Sequence, residues 1–480
     1  MTNHANFLFF VILVLLLTGS TQKIVASVSY FQNITVSPED SSLFIISRIK
    51  IKGNIKTKSS VILNELTFSA GDTIVFGDVE KAIKKSTHNL KRTPLFNHVQ
   101  LIPAYSQSQI SFLIIVTERW YLWPEVRISY ADQNLSNWLR NKEYLRSNIG
   151  LGLMKYNFRG KNEKLNLLFL AGYDNTVFFN YKNIRLDKLG KHRLGLFLRH
   201  TKRKETGCCI INDTVSYYKA SSGYAMQYFN SFLSYSYRLT PQLSTGVSIG
   251  YRFRKSNDSL LHLNTEYFGP GGIKNQFLYI QNYITLDTEN SNVFPTSGQQ
   301  LSIKFYMAGF RIFNPNDFYS FATLRYSYAR EFTPFFFSRT HFSYKVHLKE
   351  NNPFYMQGAL GYENEISGYE YYTVQGNQYL FMQQRFSTLL LEKIIPLKFL
   401  PLHQFNRIPL SVYFELHTGF GYVWNNSEQY NRMNKLANTP LYSFGIGMNF
   451  VTYYDILLRI EYSINHMNEK GVFLHVGSSF

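Results

Sequence analysis

The chain is notable first for what it lacks. Beyond its N-terminus it has no run of eighteen apolar residues, so no helix in it is long and apolar enough to cross a bilayer. Charge is sparse: Asp, Glu, Lys and Arg make up 17% of 480 residues, low for a soluble enzyme of this length. Cysteine is nearly missing. Cys208 and Cys209 are the only two and are adjacent, and neighbours can form only a strained vicinal bridge, which supports neither a disulfide framework nor a metal site. There is no G-x-S-x-G elbow, H-E-x-x-H pair or phosphate loop, and the twelve histidines are dispersed. No spacing identifies a rim-type hydrolytic site either, so an enzyme is not expected and no catalytic residue, cofactor or metal is implied.

Aromatic residues, by contrast, are abundant, with 36 Tyr and 41 Phe, while mean hydropathy is only −0.19. A membrane β-barrel accounts for both, because its strands alternate apolar residues toward lipid with polar ones toward the lumen. The formal net charge of +19 is scattered over strand-like segments and not gathered into basic runs. Nucleic acid is therefore not implied, and a cationic lumen or charged rim is the better reading. At the N-terminus, the apolar core Phe7 to Leu17 is followed by small and polar residues. It suits a signal peptide over 1–27 and an exported protein; 28–42 reads as a linker.

From 43 to 119 the pattern is mixed. FIISRIKIKGN reads as a strand ending at Gly53-Asn54, and TKSSVILNELTFSAGD as a helix capped from Thr57 or Ser59. A second helix with Val79, Ile83 and Leu90 on one face follows, then the strands LFNHVQLIP, opening with Leu95 and Phe96, and QISFLIIVTE. The order β-α-α-β-β predicts one small α+β domain. From 120 to 480 strand follows strand. In DILLRIEYSIN, Ile456, Leu458, Ile460, Tyr462 and Ile464 share one face, and Leu457, Arg459, Glu461, Ser463 and Asn465 the other. Such segments are longer than ordinary globular strands. About sixteen are expected, beginning near 122, 145, 162, 175, 193, 221, 242, 274, 298, 318, 335, 378, 408, 440, 454 and 471, an even number that lets a bacterial barrel close. Short connections alternate with long ones near 202–220, 255–273, 348–377 and 425–439.

Several motifs carry a resemblance. IKIKGNIKTKSSVILNELTFSAGD with NLKRTPLFNHVQL and IIVTER resembles a POTRA domain of BamA/TamA-type proteins. DTENSNVFPTSG, with Asp287, Thr288, Phe294, Pro295, Thr296 and Gly298, resembles that family's periplasmic turn signature. NIGLGLMKYNFRGKNEKLNLLFLAGY is similar to its early hairpin, and the run from TERWYLWPEV is most like the single-POTRA branch common among Bacteroidota-type bacteria. GVFLHVGSSF, with Val472, Leu474, Val476 and Phe480 on one face, fits a terminal-strand signal read by assembly machinery.

The resemblance implies a mainly β fold, a sixteen-stranded antiparallel transmembrane β-barrel preceded by one small α+β (β-α-α-β-β) POTRA domain. It implies residence in the outer membrane of a Gram-negative bacterium with the POTRA domain in the periplasm. The partners it implies are the lipid bilayer, unfolded outer-membrane clients held at a POTRA sheet edge, within LFNHVQLIP or FIISRIKIK, and periplasmic accessory proteins. The implied role is insertion or translocation of other proteins; the rival is a diverged surface antigen or passive pore without insertase activity. In the family the sixth loop folds into the lumen and carries V-R-G-[FY], whose Arg pairs with an acidic residue on strand thirteen. Here the loop aligns as Ile366-Ser367-Gly368-Tyr369, the Arg position is Ser367, and the acidic position is Gly419. Both members are replaced together, and Glu415 on the same face is a candidate for a different cation.

Overall fold

The structure is a computed structural model that describes residues 41–480 other than 131–137, 139, 141, 143, 145, 270–271, 350–351, 362–364, 397–406, 453–455 and 478–480. The signal-peptide reading, most of the linker and Phe480 lie outside the described residues.

Residues 43–118 fold around an apolar core. The elements are β1 (Leu43–Lys52), α1 (Ser59–Leu63), β2 (Thr73–Val75), α2 (Phe76–Arg92), β3 (Phe96–Ser106) and β4 (Gln109–Glu118). Period-2 residues Ile110, Phe112 and Ile114 of β4 and helical-period residues Val79 and Leu90 of α2 close on Leu95 and Phe96, all of them buried. The expected order lacks one element: β2 separates the helices, so the order is β-α-β-α-β-β. Three residues are too few to show an alternation, and β2 exists only because Leu43–Ile45 offer it a partner. The first helix is shorter than the sequence suggests, and it starts after Lys58 without a side-chain cap from Thr57 or Ser59. Gly53, at φ +91, is required where the chain turns: a Cβ there would lie 1.9 Å from the Val116 carbonyl oxygen. Asn54 holds the next turn by donating from Nδ2 to the Thr57 carbonyl at 3.1 Å. The sheet order is β2-β1-β4-β3. FIISRIKIK, as β1, is therefore internal, and LFNHVQLIP, as β3, is the long edge.

Sixteen strands then form one antiparallel sheet. The first six are β5 (Leu122–Tyr130), β6 (Ser147–Phe158), β7 (Glu163–Gly172), β8 (Asp174–Arg185), β9 (His192–Arg203) and, after the hairpin β10 (Glu205–Ile211) and β11 (Thr214–Lys219), β12 (Met226–Arg238). Next come β13 (Leu243–Ser256), β14 (Lys274–Asp287), β15 (Gly298–Ala308), β16 (Tyr319–Thr333) and β17 (Phe336–His347). Two short pieces, β18 (Gly358–Leu360) and β19 (Val374–Gln375), lie in the following loop. The sheet ends with β20 (Gln378–Pro396), β21 (Arg407–Trp424), β22 (Leu441–Thr452), β23 (Ile456–Asn465) and β24 (Lys470–Val476). Every expected strand start has a counterpart, and β5 and β24 stand at the two ends of the order. The alternation sorts the faces as a barrel requires. On β23, Ile460 and Tyr462 are each 40% exposed, whereas Arg459, Glu461 and Ser463 are buried. Outward apolar residues such as Ile149, Phe169, Ile249 and Phe444 continue the band around the ring.

Candidate functional site

In the connection between β17 and β20, the described stretches 352–361 and 365–377 fold back inside the barrel. Tyr355 lies in the lumen, where the Arg254 guanidinium sits 3.9 Å from its ring centre and the Asn275 side chain accepts its hydroxyl. Ile366 is 1% exposed and is seated on two wall glycines of β21. A Cβ at Gly419 would come within 2.6 Å of Ile366, and one at Gly421 within 2.4 Å. Glycine at 419 is therefore the seat of the loop's apolar anchor, and an aspartate would collide with it. Gly368 itself adopts φ +89 above Ser443, Ser463 and Asn465, a conformation that favours glycine.

Ser367 is bonded to the wall. Gln383 Nε2 donates to its Oγ at 2.8 Å and Arg385 Nη2 donates at 3.1 Å. The guanidinium that the sequence pattern places on the loop is thus supplied by β20. Arg385 in turn is paired with Glu415, which also receives Arg339 of β17. Glu415 accepts further bonds from Ser387 and Asn449 at 3.0 Å each. Arg385 also reaches Glu461 at 3.4 Å, and Arg459 reaches the same carboxylate at 3.0 Å. Burying this many charges costs several kcal/mol per ion, and sharing two carboxylates among three arginines offsets part of that cost.

Beyond Ser367 the loop fastens the last strands. Tyr369 bonds His466 and the Tyr442 carbonyl, Asn465 Nδ2 donates to the Gly368 carbonyl at 3.1 Å, and the Tyr372 hydroxyl donates to Glu469 at 2.7 Å. Glu370 lies 3.5 Å from His475 of β24. On that strand Val472 is 65% exposed and Leu474 and Val476 are partly so, while Phe473 is buried.

The turn between β14 and β15 does more than reverse the chain. Asn290 and Thr296 brace each other, and Gly298, at φ +104, allows Thr288 to close the turn. Phe294 then enters the lumen, stacks on Tyr413 and lies 3.8 Å under the Arg339 guanidinium. At the turn's other end Asp287 pairs with Arg92 of α2, which also donates to its carbonyl at 2.6 Å. A line therefore runs from Arg92 of the N-terminal domain to Asp287, along the turn to Phe294, and by way of Arg339, Glu415 and Arg385 to Ser367. Beside this line lies a cavity of 510 Å³, lined by polar residues including Gln281, Lys304, Arg325 and His341.

The N-terminal domain is docked on this end of the barrel. Glu65 forms a bidentate pair with Arg238, both bonds 2.6 Å, and the Gln242 side chain donates to Asn89 at 2.7 Å. Lys58 donates its N–H to the Gly160 carbonyl at 3.0 Å. At the opposite end, the β10–β11 hairpin reaches across the mouth. Asp213 accepts from the backbone N–H groups of Lys435 and Leu436, and its carbonyl accepts from Thr373. The hairpin follows the fifth strand of the ring and 435–436 follow the thirteenth, half a circumference away. Cys208 and Cys209 lie in this hairpin, both as free thiols.

Sequence reading located the loop, the turn and Glu415. It missed Arg339, Arg385, His475 and both docking pairs, although Arg385 carries one signal: it is a charge on the inward face of its strand, between Gln383 and Ser387.

Comparison with known proteins gives a consistent picture. The Omp85 superfamily domain matches residues 157–473, and a POTRA module described as a surface antigen variable number repeat matches 44–119. Among solved structures, CdiB from Escherichia coli aligns over 91% of this chain and 76% of its own, at 10% identity and TM-score 0.56. BamA from Haemophilus ducreyi lacking POTRA domains 1–3 aligns over 91% and 84%, at 16% identity and TM-score 0.50. CdiB from Acinetobacter baumannii aligns over 91% and 73%, at 14% identity and TM-score 0.51. At these identities the likeness is one of fold. No curated protein matches the chain in sequence.

Proposed function

The chain belongs to the Omp85 superfamily, and on that premise we propose that it works in the outer membrane of a Gram-negative bacterium as a BamA/TamA-like barrel that helps insert other proteins. The POTRA domain stands in the periplasm, and β3 is its client-binding edge. An extended segment of an unfolded outer-membrane protein adds to β3 by backbone hydrogen bonds, the mode of β-augmentation. Pro103 lies on β3 and lacks an N–H, which limits that edge to the part before it. Periplasmic accessory proteins are the further partner class of this reading, and it assigns no enzymatic step.

The observation that carries the proposal is the filled lumen. Loop six occupies the interior, and the β10–β11 hairpin is bonded across the extracellular mouth. A passive pore needs an open path along its axis, and this arrangement counts against one; an insertase acts at its wall and needs none. The test is reconstitution. Vesicles carrying the purified chain should speed the folding of a urea-denatured outer-membrane barrel, measured by heat-modifiable migration. Folding no faster than in bare vesicles, together with steady single-channel conductance, would favour the pore.

A further inference from the structure

Three side chains from three elements converge behind loop six, and the proposed function does not use them. His475 Nε2, on β24, lies 3.5 Å from Glu370 Oε1 of the loop and 3.3 Å from Glu461 Oε1 of β23. All three ligand-type atoms fall within 4.8 Å of one another. We propose that Glu370, Glu461 and His475 bind a divalent transition-metal cation of the zinc type, which ties loop six to the last two strands of the barrel.

Geometry is the first argument. Bonds of about 2.0–2.2 Å in a tetrahedral site place neighbouring ligand atoms about 3.3–3.6 Å apart. The two imidazole–carboxylate separations fall in that range. The second argument is an unmet bonding capacity. Glu461 is 1% exposed; its Oε2 is taken by Arg459 and Arg385, while its Oε1, the atom facing His475, receives no hydrogen bond. His475 Nε2 stands at ion-pair distance from both carboxylates without an aligned hydrogen bond to either. Third, the other ring nitrogen, Nδ1, faces the Glu365 carboxylate at 3.8 Å. A carboxylate behind the distal nitrogen is the arrangement that fixes a metal-bound histidine in its ligating tautomer. Charge agrees as well. Arg339, Arg385 and Arg459 pair with Glu415 and Glu461, and Glu365 and Glu370 bring two further carboxylates to His475. The fourth coordination position is left for water or a further oxygen, and the His475 side chain is 17% exposed, which gives an ion a way in.

The site would have a mechanical consequence. Two ligands lie on the last two strands of the sheet, and the third lies on the loop that plugs the lumen, so an ion here links plug and wall. The full-length protein in detergent, stripped with a chelator and titrated with Zn²⁺, should bind one equivalent, and Co²⁺ should give the visible absorption of a four-coordinate site. Zinc loading should raise the temperature at which the folded band converts to the unfolded one. His475→Ala and Glu370→Gln should abolish both effects, and Glu365→Gln should weaken binding about 10–100-fold. Stoichiometric zinc unaffected by these substitutions, or no stoichiometric zinc, would overturn the proposal. If the variants fail to fold, X-ray absorption on the zinc-loaded parent decides: one imidazole with oxygen neighbours supports the site, and a shell without imidazole refutes it.

Discussion

Ser367 and Gly419 show how a residue pair can be replaced without losing its task. In the sequence they are two gaps in a family pattern, and the natural inference is that the charge interaction has gone. The structure corrects this: a guanidinium still meets residue 367, but it comes from Arg385, and position 419 is bare because Ile366 rests there. Writing the family pair back as Ser367→Arg with Gly419→Asp should consequently fail, since it adds a cation beside Arg385 and a side chain where none fits. The sharper test is steric. Gly419→Ala should cost about 1–3 kcal/mol, the usual penalty for overpacking a tight site. Ile366→Ala in the same chain should recover part of it, because the clashing carbon is Ile366 Cγ2, which alanine lacks. A double-mutant cycle on loop protease resistance should show this coupling; strictly additive effects would mean the two do not touch. Glu415 was legible as a buried acid seeking a cation, but its partners were not. Arg339 lies 76 residues away and Arg385 30, and only strand register brings them to one carboxylate.

At the scale of elements, the barrel strands were legible because alternation over ten or more residues is a strong signal, and every expected start has its strand. The missed β2 marks the lower limit of that signal. The alternation also fixes a prediction. Ile460→Arg puts a charge on the lipid face and should abolish the heat-modifiable form, at a cost of about 2–4 kcal/mol near the midplane. Ser302→Arg, directed into the polar cavity, should be tolerated. Ser463 would have been the simpler lumen control on sequence grounds, but it is fully buried under Gly368 and bonded to His417, so it is no place for an arginine. Equal damage from Ile460→Arg and Ser302→Arg would refute the assigned faces. The docking of the POTRA domain was not legible, since Glu65 and Arg238 are 173 residues apart. Glu65→Arg should free the domain, seen as faster proteolysis of the 119–121 connection in detergent. Arg238→Glu in the same chain should restore protection; if it does not, the pair does not hold the domain.

The whole molecule is a plugged and capped barrel with a docked periplasmic domain, and its contacts run from Arg92 of that domain to Ser367 of loop six. Composition, strand count and the POTRA motif made this architecture readable from sequence. The closure of the mouth was not, because the bonds of Asp213 join loops from opposite sides of the ring and depend on geometry that no local pattern encodes. That closure is the observation on which the proposed choice between the two functions rests. An exported pore and an insertase share strands, alternation and loop lengths; they differ in what the barrel does to other barrels. The most direct measurement is therefore quantitative proteomics of the outer membrane after depletion of this chain in its own host. The account predicts that the levels of a set of other β-barrel proteins fall while lipoproteins and periplasmic proteins hold steady. Unchanged levels of every other barrel, with the loss confined to the depleted chain, would contradict it.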